Sequence, residues 1–242
     1  MVALITGASS GIGYSTALAF SKAGVKVAIG ARRTDKLKKL ENEIHQSGGE
    51  VLSQKLDVTQ KSESISFVKT IIKKWETIDV LINNAGVAPL SFLNHLKIDE
   101  WDQMIDVNIK GVLYCTAAVL PYMIEKKSGH IVNLSSVAGR IVFPSGSVYC
   151  ATKHAIVAFS EGLRKELSPK FNIKVTCIEP GVVATGLINT ISDESLKRFV
   201  ENTKKLNSLK PEDVAKVILF AVEAPSHMNV NELMVRPTTQ EV

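Results

Sequence analysis

Val2-Ala-Leu-Ile-Thr6-Gly7-Ala8-Ser9-Ser10-Gly11-Ile12-Gly13 carries the chain from a short apolar run into a cluster of glycines and small hydroxyl residues. Beyond it Ala17, Leu18, Phe20 and Ala23 recur at helical spacing up to Gly24, and Val25 to Ile29 is a second apolar run rich in β-branched residues. Strand, helix and strand fit within about 30 residues, the size of one βαβ unit. Glycines in the first turn let the backbone approach a pyrophosphate, and the following helix N-terminus favours negative charge there. The spacing is Gly-x-x-x-Gly-x-Gly rather than Gly-x-Gly-x-x-Gly, and any tight turn uses glycine. The position of the cluster, between first strand and first helix, is what points to a nucleotide.

The alternation continues outward. Helices are predicted over 34–47, 60–75, 99–127 (interrupted near Asn108 to Gly111), 148–168, 193–205 and 211–223, and strands over 50–56, 78–83, 131–135, 173–179 and 230–235. Strands that are apolar throughout, alternating with amphipathic helices, predict an α/β fold: a doubly wound, Rossmann-type parallel sheet of about seven strands with helices on both faces. No linker or low-complexity tract divides residues 1–242, so one domain is expected, with residues 184–208 as a substrate-side lid.

Composition excludes several classes. The chain is 45% hydrophobic and 22% charged, ordinary for a globular domain. Cys115, Cys150 and Cys177 are odd in number and unpatterned, which supports neither a disulfide framework nor a zinc site and fits a reducing, cytoplasmic setting. The five histidines have no ligand spacing, so no metal is expected. No basic region precedes the first apolar run, which is too short for a signal peptide, and no membrane span or membrane partner is expected. The net charge of +5 could serve nucleic acid, but Lys36, Lys38 and Lys39 alternate with Glu41 and Glu43 as on a solvated helix face. A nucleic-acid partner is therefore not expected.

Gly30-Ala31-Arg32-Arg33 follows the second strand, with no acid before Asp35. NAD sites carry an acid there for the ribose hydroxyls, whereas a guanidinium suits the 2′-phosphate of NADP. The cofactor expected is NADP(H), with Arg32 favoured because it adjoins Ala31; a basic start to a surface helix is the plainer account. Asp57-Val58 follows the third strand, where Asp57 suits an adenine edge and a helix N-cap equally. Asn83-Asn84-Ala85-Gly86 follows the fourth, at a place that can line the cofactor crevice or form a bare turn.

Tyr149 and Lys153 stand four apart in a segment that continues with helical apolar spacing. Four residues turn a helix by about 400° and advance it about 6 Å, so phenol and ammonium share a face. Bringing a tyrosine from pKa about 10 to near 7 needs roughly 4 kcal/mol, which one cation at about 4 Å supplies in a partly screened site. Lys153 is thus expected to lower the Tyr149 pKa and make it an acid/base near neutrality. Taken alone, such a pair is also what two surface residues produce by chance.

Together these motifs resemble the short-chain dehydrogenase/reductase family over nearly the whole chain. Thr6 through Gly13 is similar to its glycine motif, Asn83 through Gly86 to its Asn-Asn-Ala-Gly, and Tyr149 with Lys153 to its Tyr-x-x-x-Lys. Asn108 sits at the family's helix asparagine, Ser136, thirteen before Tyr149, at its serine, and Pro180-Gly181, Val183 and Thr185 in the loop that touches the nicotinamide. The resemblance implies hydride transfer between nicotinamide and a carbonyl or alcohol carbon. Tyr149 would donate the proton, Ser136 would bond the same oxygen, Lys153 would also hold the ribose, and Asn108 would anchor a water. Gly7, Ser9, Ser10, Gly11, Ile12, Gly13, Arg32, Arg33, Asp57, Val58, Asn84, Ala85 and Gly86 would hold the cofactor. The tail from Asn229 to Gln240 resembles that of NADP-dependent 3-hydroxy acid or serine dehydrogenases. Homodimers or homotetramers are the family's expectation, and a catalytically silent nucleotide-sensing protein of the same fold is the alternative.

Overall fold

The computed structural model describes residues 1–240. Strands Val2–Thr6 (β1), Lys26–Ala31 (β2), Val51–Lys55 (β3), Val80–Asn83 (β4), Gly129–Leu134 (β5), Ile173–Pro180 (β6) and Glu232–Val235 (β7) form one sheet in the order β3-β2-β1-β4-β5-β6-β7. Every pairing is parallel, with Ile5 of β1 opposite Ile29 of β2 and Ile82 of β4. The helices are Gly11–Lys22 (α1), Thr34–Gln46 (α2), Lys61–Trp75 (α3), Ile98–Ile105 (α4), Gly111–Lys126 (α5), Ser147–Phe171 (α6), Lys197–Lys204 (α7) and Pro211–Glu223 (α8).

Successive strand residues point to opposite faces, so each apolar strand feeds two cores. Ala3 and Ile5 pack with Phe20 of α1, Leu40 of α2 and Ile218 of α8. Val2 and Leu4 pack on the other face with Phe67 of α3, Val119 of α5 and Leu163 of α6. Phe20 and Phe67 are fully buried, one in each layer, and each contributes about 1.5–3 kcal/mol by leaving water. The expected doubly wound sheet is therefore the observed one.

The long helix predicted over 99–127 is interrupted where expected. Asp106–Lys110 forms a π-helical turn between α4 and α5 and buries Val107 and Asn108. The whole stretch Ile98–Lys126 is long and apolar enough to cross a bilayer by composition, which departs from the expectation that no such run exists. Its apolarity is used internally: Cys115, Val119 and Met123 are buried in the α3–α6 layer. α6 runs past the predicted end at 168, through Pro169 to Phe171, and stops at Asn172 in the left-handed region (φ 53°). The predicted helix over 193–205 begins as a 3-10 turn, Glu194–Leu196, before α7.

His130 on β5 is 3% exposed and donates from Nε2 to Thr176 Oγ1 at 2.7 Å, because that hydroxyl already donates to Val230 O. Nδ1 has no partner among the described residues. Burial, with nearby Lys174, pushes the imidazole down to about 3. The folded state thus resists a proton that the unfolded chain accepts near its ordinary pKa of 6.5. The stability linked to neutral His130 is complete above pH 6.5 and is lost as pH falls toward 3, at no more than about 1.4 kcal/mol per pH unit. Urea unfolding of wild type and His130→Leu across that range should give a shallower pH slope for the variant; equal slopes would refute the assignment.

Candidate active site

β1 and β4 are neighbours, but the chain leaves them for opposite layers, α1 on one face and α5 on the other. Such a divergence opens a crevice at the carboxyl ends of the strands. A cleft of about 1040 Å³ lies there. Every site residue named from the sequence lines it except Gly13 and Asn108.

Thr6 ends β1 and holds the crevice at its floor. Its Oγ1 accepts the N–H groups of Asn84 and Ala85, both at 3.0 Å, and donates to Ile82 O at 3.3 Å. Asn84 Nδ2 returns the link by donating to Thr6 O at 2.9 Å. Gly7 has φ +67°, and a Cβ there would lie 2.8 Å from Ala85 Cα. Gly13 sits behind the turn, where a Cβ would be 2.4 Å from Asn84 Nδ2. The first helix can therefore start hard against the turn, which leaves its N-terminal amides facing the cleft. Thr185 closes over the turn from the far wall, its methyl 3.1 Å from a Cβ placed at Gly11.

Arg33, rather than the favoured Arg32, lies over this turn. Its Nη2 donates to Ser9 Oγ at 3.0 Å and Ser10 Oγ at 2.6 Å, with Nε to Ser9 Oγ at 3.3 Å. Arg32 lines the cleft and makes no side-chain hydrogen bond among the described residues. Asp57 Oδ1 accepts Thr59 N–H at 3.0 Å and the Thr59 hydroxyl at 2.8 Å, so it braces the turn before α3 while facing the cleft.

Ser136 Oγ accepts Ala138 N–H at 3.1 Å, capping the 3-10 turn Val137–Gly139, and donates to Pro180 O at 3.3 Å. Its neighbour Ser135, 5% exposed, donates instead to Lys153 O at 2.9 Å and so anchors α6. Lys153 Nζ lies 5.7 Å from the Tyr149 ring centroid, so the two side chains do share a face. Nζ donates to Leu134 O at 2.9 Å.

Electrostatics depart from the expectation. Burial pushes the Tyr149 phenol up to about 12, with the Ser136 hydroxyl opposing the rise, and pushes Lys153 down to about 8. The expected lowering of Tyr149 by Lys153 is not seen: burial desolvates both charged forms. Tyr149 packs, with Phe143 and Ile191, against the apolar cluster of Ala88, Leu90 and Leu196.

Asn108 is placed behind the cleft, 1% exposed, by the π-helical turn. Its Oδ1 accepts Val87 N–H and its Nδ2 donates to Val87 O, both at 2.9 Å, and to Thr152 Oγ1 at 3.2 Å. Both amide donors go to protein acceptors, so its side chain ties the loop after β4 to α6. Thr6 and Ser135 are contributors that the sequence reading passed over. Thr6 stands inside the quoted turn, but its partners lie 78 and 79 residues away and leave no local signal.

The cradle formed by Gly7, Gly13 and the start of α1 fits the pyrophosphate of a dinucleotide. Among the described residues no cluster of His, Cys, Asp or Glu suits a metal.

A family model described as short chain dehydrogenase matches residues 1–196. An uncharacterized oxidoreductase of Staphylococcus saprophyticus is 48% identical over the whole chain and 97% of its own length. The closed form of a serine dehydrogenase complexed with NADP+ superposes with a TM-score of 0.93 at 35% identity, covering 100% of this chain and 97% of that one. A short-chain dehydrogenase/reductase of Burkholderia phymatum in complex with NAD gives 0.88 at 26% identity, over 96% and 88% of the two chains.

Thr6→Val keeps the side-chain shape and leaves two N–H groups at the crevice floor without their acceptor. It should destabilise the protein by about 1–3 kcal/mol in urea unfolding. An unchanged midpoint would mean that Thr6 does not hold the crevice.

Proposed function

The chain belongs to the short-chain dehydrogenase/reductase family, and from that premise we propose that it is an NADP(H)-dependent oxidoreductase interconverting a carbonyl and a secondary alcohol. The observation that carries the reading is that Ser136, Tyr149 and Lys153 open onto the same cleft as the glycine turn. The nicotinamide cofactor, when bound, supplies or takes the hydride. Tyr149, protonated at neutral pH with a pKa of about 12, gives its proton to the carbonyl oxygen in reduction. Ser136 Oγ turns its one hydroxyl proton from the long 3.3 Å bond to Pro180 O onto that same oxygen. Lys153, still a cation below its pKa of about 8, stabilises the phenolate left behind. Leu90, Leu196, Phe143 and Ile191 form an apolar wall beside the phenol.

NADP is the cofactor proposed. Arg33, already bonded to Ser9 and Ser10, takes the 2′-phosphate, and Arg32 adds to the local positive charge. The serine dehydrogenase with NADP+ supports this, and the relative complexed with NAD is the competing precedent. A small 3-hydroxy acid is the proposed substrate class, supported by the same likeness and by the resemblance of the tail. The proposal extends to a cytoplasmic enzyme acting as a homodimer or homotetramer, which light scattering of the purified protein would check.

Tyr149→Phe should abolish turnover on a carbonyl panel read by NADPH consumption while leaving NADPH binding nearly intact. Unchanged turnover would remove the mechanism, and a wild type that binds NADPH but converts nothing would favour the silent alternative. Arg33→Ala should weaken NADPH by about 1.5–3 kcal/mol, roughly tenfold to a hundredfold, and NADH far less. Equal loss for both cofactors would contradict the phosphate assignment. Alcohol oxidation needs the phenolate, whose fraction grows about tenfold per pH unit below its pKa. Oxidation should therefore accelerate from pH 7 upward while reduction declines above pH 8 as Lys153 loses its proton. An oxidation rate that falls with pH over this range would be the opposing result.

A further inference from the structure

The Ser136 turn and the end of β6 are joined from two sides. On the cleft side Ser136 Oγ donates to Pro180 O at 3.3 Å. On the far side Arg140, the residue that follows the 3-10 turn, reaches Glu179, the residue before Pro180. The link is a fork: Arg140 Nε donates to Glu179 Oε2 at 2.9 Å and Nη2 to Oε1 at 2.7 Å. Glu179 is 1% exposed, and Arg140 also pairs with Glu232 at the start of β7.

Two features give this fork a role beyond cohesion. A planar guanidinium holding both oxygens of a carboxylate fixes orientation as well as distance, which a single bond does not. The turn it holds is also seated tightly: at Gly139 a Cβ would lie 2.6 Å from Ser135 Oγ and 3.0 Å from Lys153 O. A shift of the turn relative to β6 would therefore move Ser136 and disturb the anchor of the helix that carries Tyr149 and Lys153. Arg140 does not line the cleft; it borders a separate shallow depression with His154, Val157 and Glu161. It does not touch the cleft, so it acts on the reacting atoms through the turn that carries Ser136.

We infer that Arg140 is a positioning residue for the hydride transfer proposed above, on which this inference rests: through its fork to Glu179 it sets where Ser136 stands relative to Pro180, and so aims the serine hydroxyl at the substrate oxygen beside Tyr149. The contribution is geometric. Catalytic hydrogen bonds act only near their working distance, and displacements of about 1 Å can cost up to 100-fold in rate.

The test is a cycle of variants assayed by single-turnover NADPH oxidation with the best carbonyl substrate of the panel, beside NADPH affinity by fluorescence. Arg140→Met should lower the rate about tenfold or more while NADPH affinity changes less than about twofold. Arg140→Lys should recover only part of the loss, because an ammonium cannot form the fork. In a Ser136→Ala background the same Arg140→Met change should lower the remaining rate by less than about twofold, since the group it positions is gone. An equal factor in both backgrounds would overturn the inference, as would a loss wholly explained by weaker NADPH binding. Should Arg140→Met fail to fold, Glu179→Gln keeps the volume and one acceptor and is read by the same cycle. Full activity in Ser136→Ala and Tyr149→Phe would sink the chemical reading and this inference together. Loss in both with an undiminished Arg140 effect would sink the inference alone.

Discussion

The hydroxyl of Thr6 is the point from which the architecture of the site follows. Two parallel strands whose connections depart to opposite layers must part at their ends, and the parting exposes backbone donors that need acceptors. Thr6 Oγ1 accepts two of them, from Asn84 and Ala85, and the Asn84 amide bonds back to the end of β1. The crevice can then be open above and closed below. Its width at the floor is fixed by hydrogen bonds rather than by loop packing, which leaves the glycine turn free to be shaped by Gly7 and Gly13.

Above that floor the side chains are held by a second set of ties, each reaching into another element. Ser135 holds α6 at Lys153, Asn108 joins the loop after β4 to Thr152, and Ser136 meets the carbonyl of Pro180. Asn108 reaches its position only because the helix widens into a π turn there. The C-terminal segment adds one more: Gln240 Oε1 accepts Val182 N–H at 2.9 Å. The groups facing the cleft thus stand on rigid strands and helices with their orientations set from behind, as a site that must hold geometry to a fraction of an ångström requires.

Much of this was legible in the sequence, and the division has a physical basis. Apolar runs and helical spacing are local, so the seven strands and the interrupted helix near Asn108 could be read directly. Motif order placed Ser136, Tyr149 and Lys153 together, since a doubly wound sheet brings strand ends to one side. What escaped depends on spatial neighbours. Whether Arg32 or Arg33 turns toward Ser9 and Ser10 is decided by side-chain packing, not by which adjoins Ala31. The upward shift of Tyr149 was missed because a charge pair four apart is visible in sequence, while the apolar cluster it packs against, with Leu90 and Leu196, is not. The Arg140–Glu179 fork spans 39 residues and has no local pattern.

The ties at the crevice floor and rim join residues far apart in sequence: 78 positions separate Thr6 from Asn84, and 58 separate Val182 from Gln240. Contacts of such separation form late and slowly, because loop closure must precede them. No autonomous fragment owns the crevice, so a molecule lodged in it draws on the cooperativity of the entire polypeptide. Its grip would be felt as resistance to proteases and to heat throughout the molecule rather than near the ligand alone.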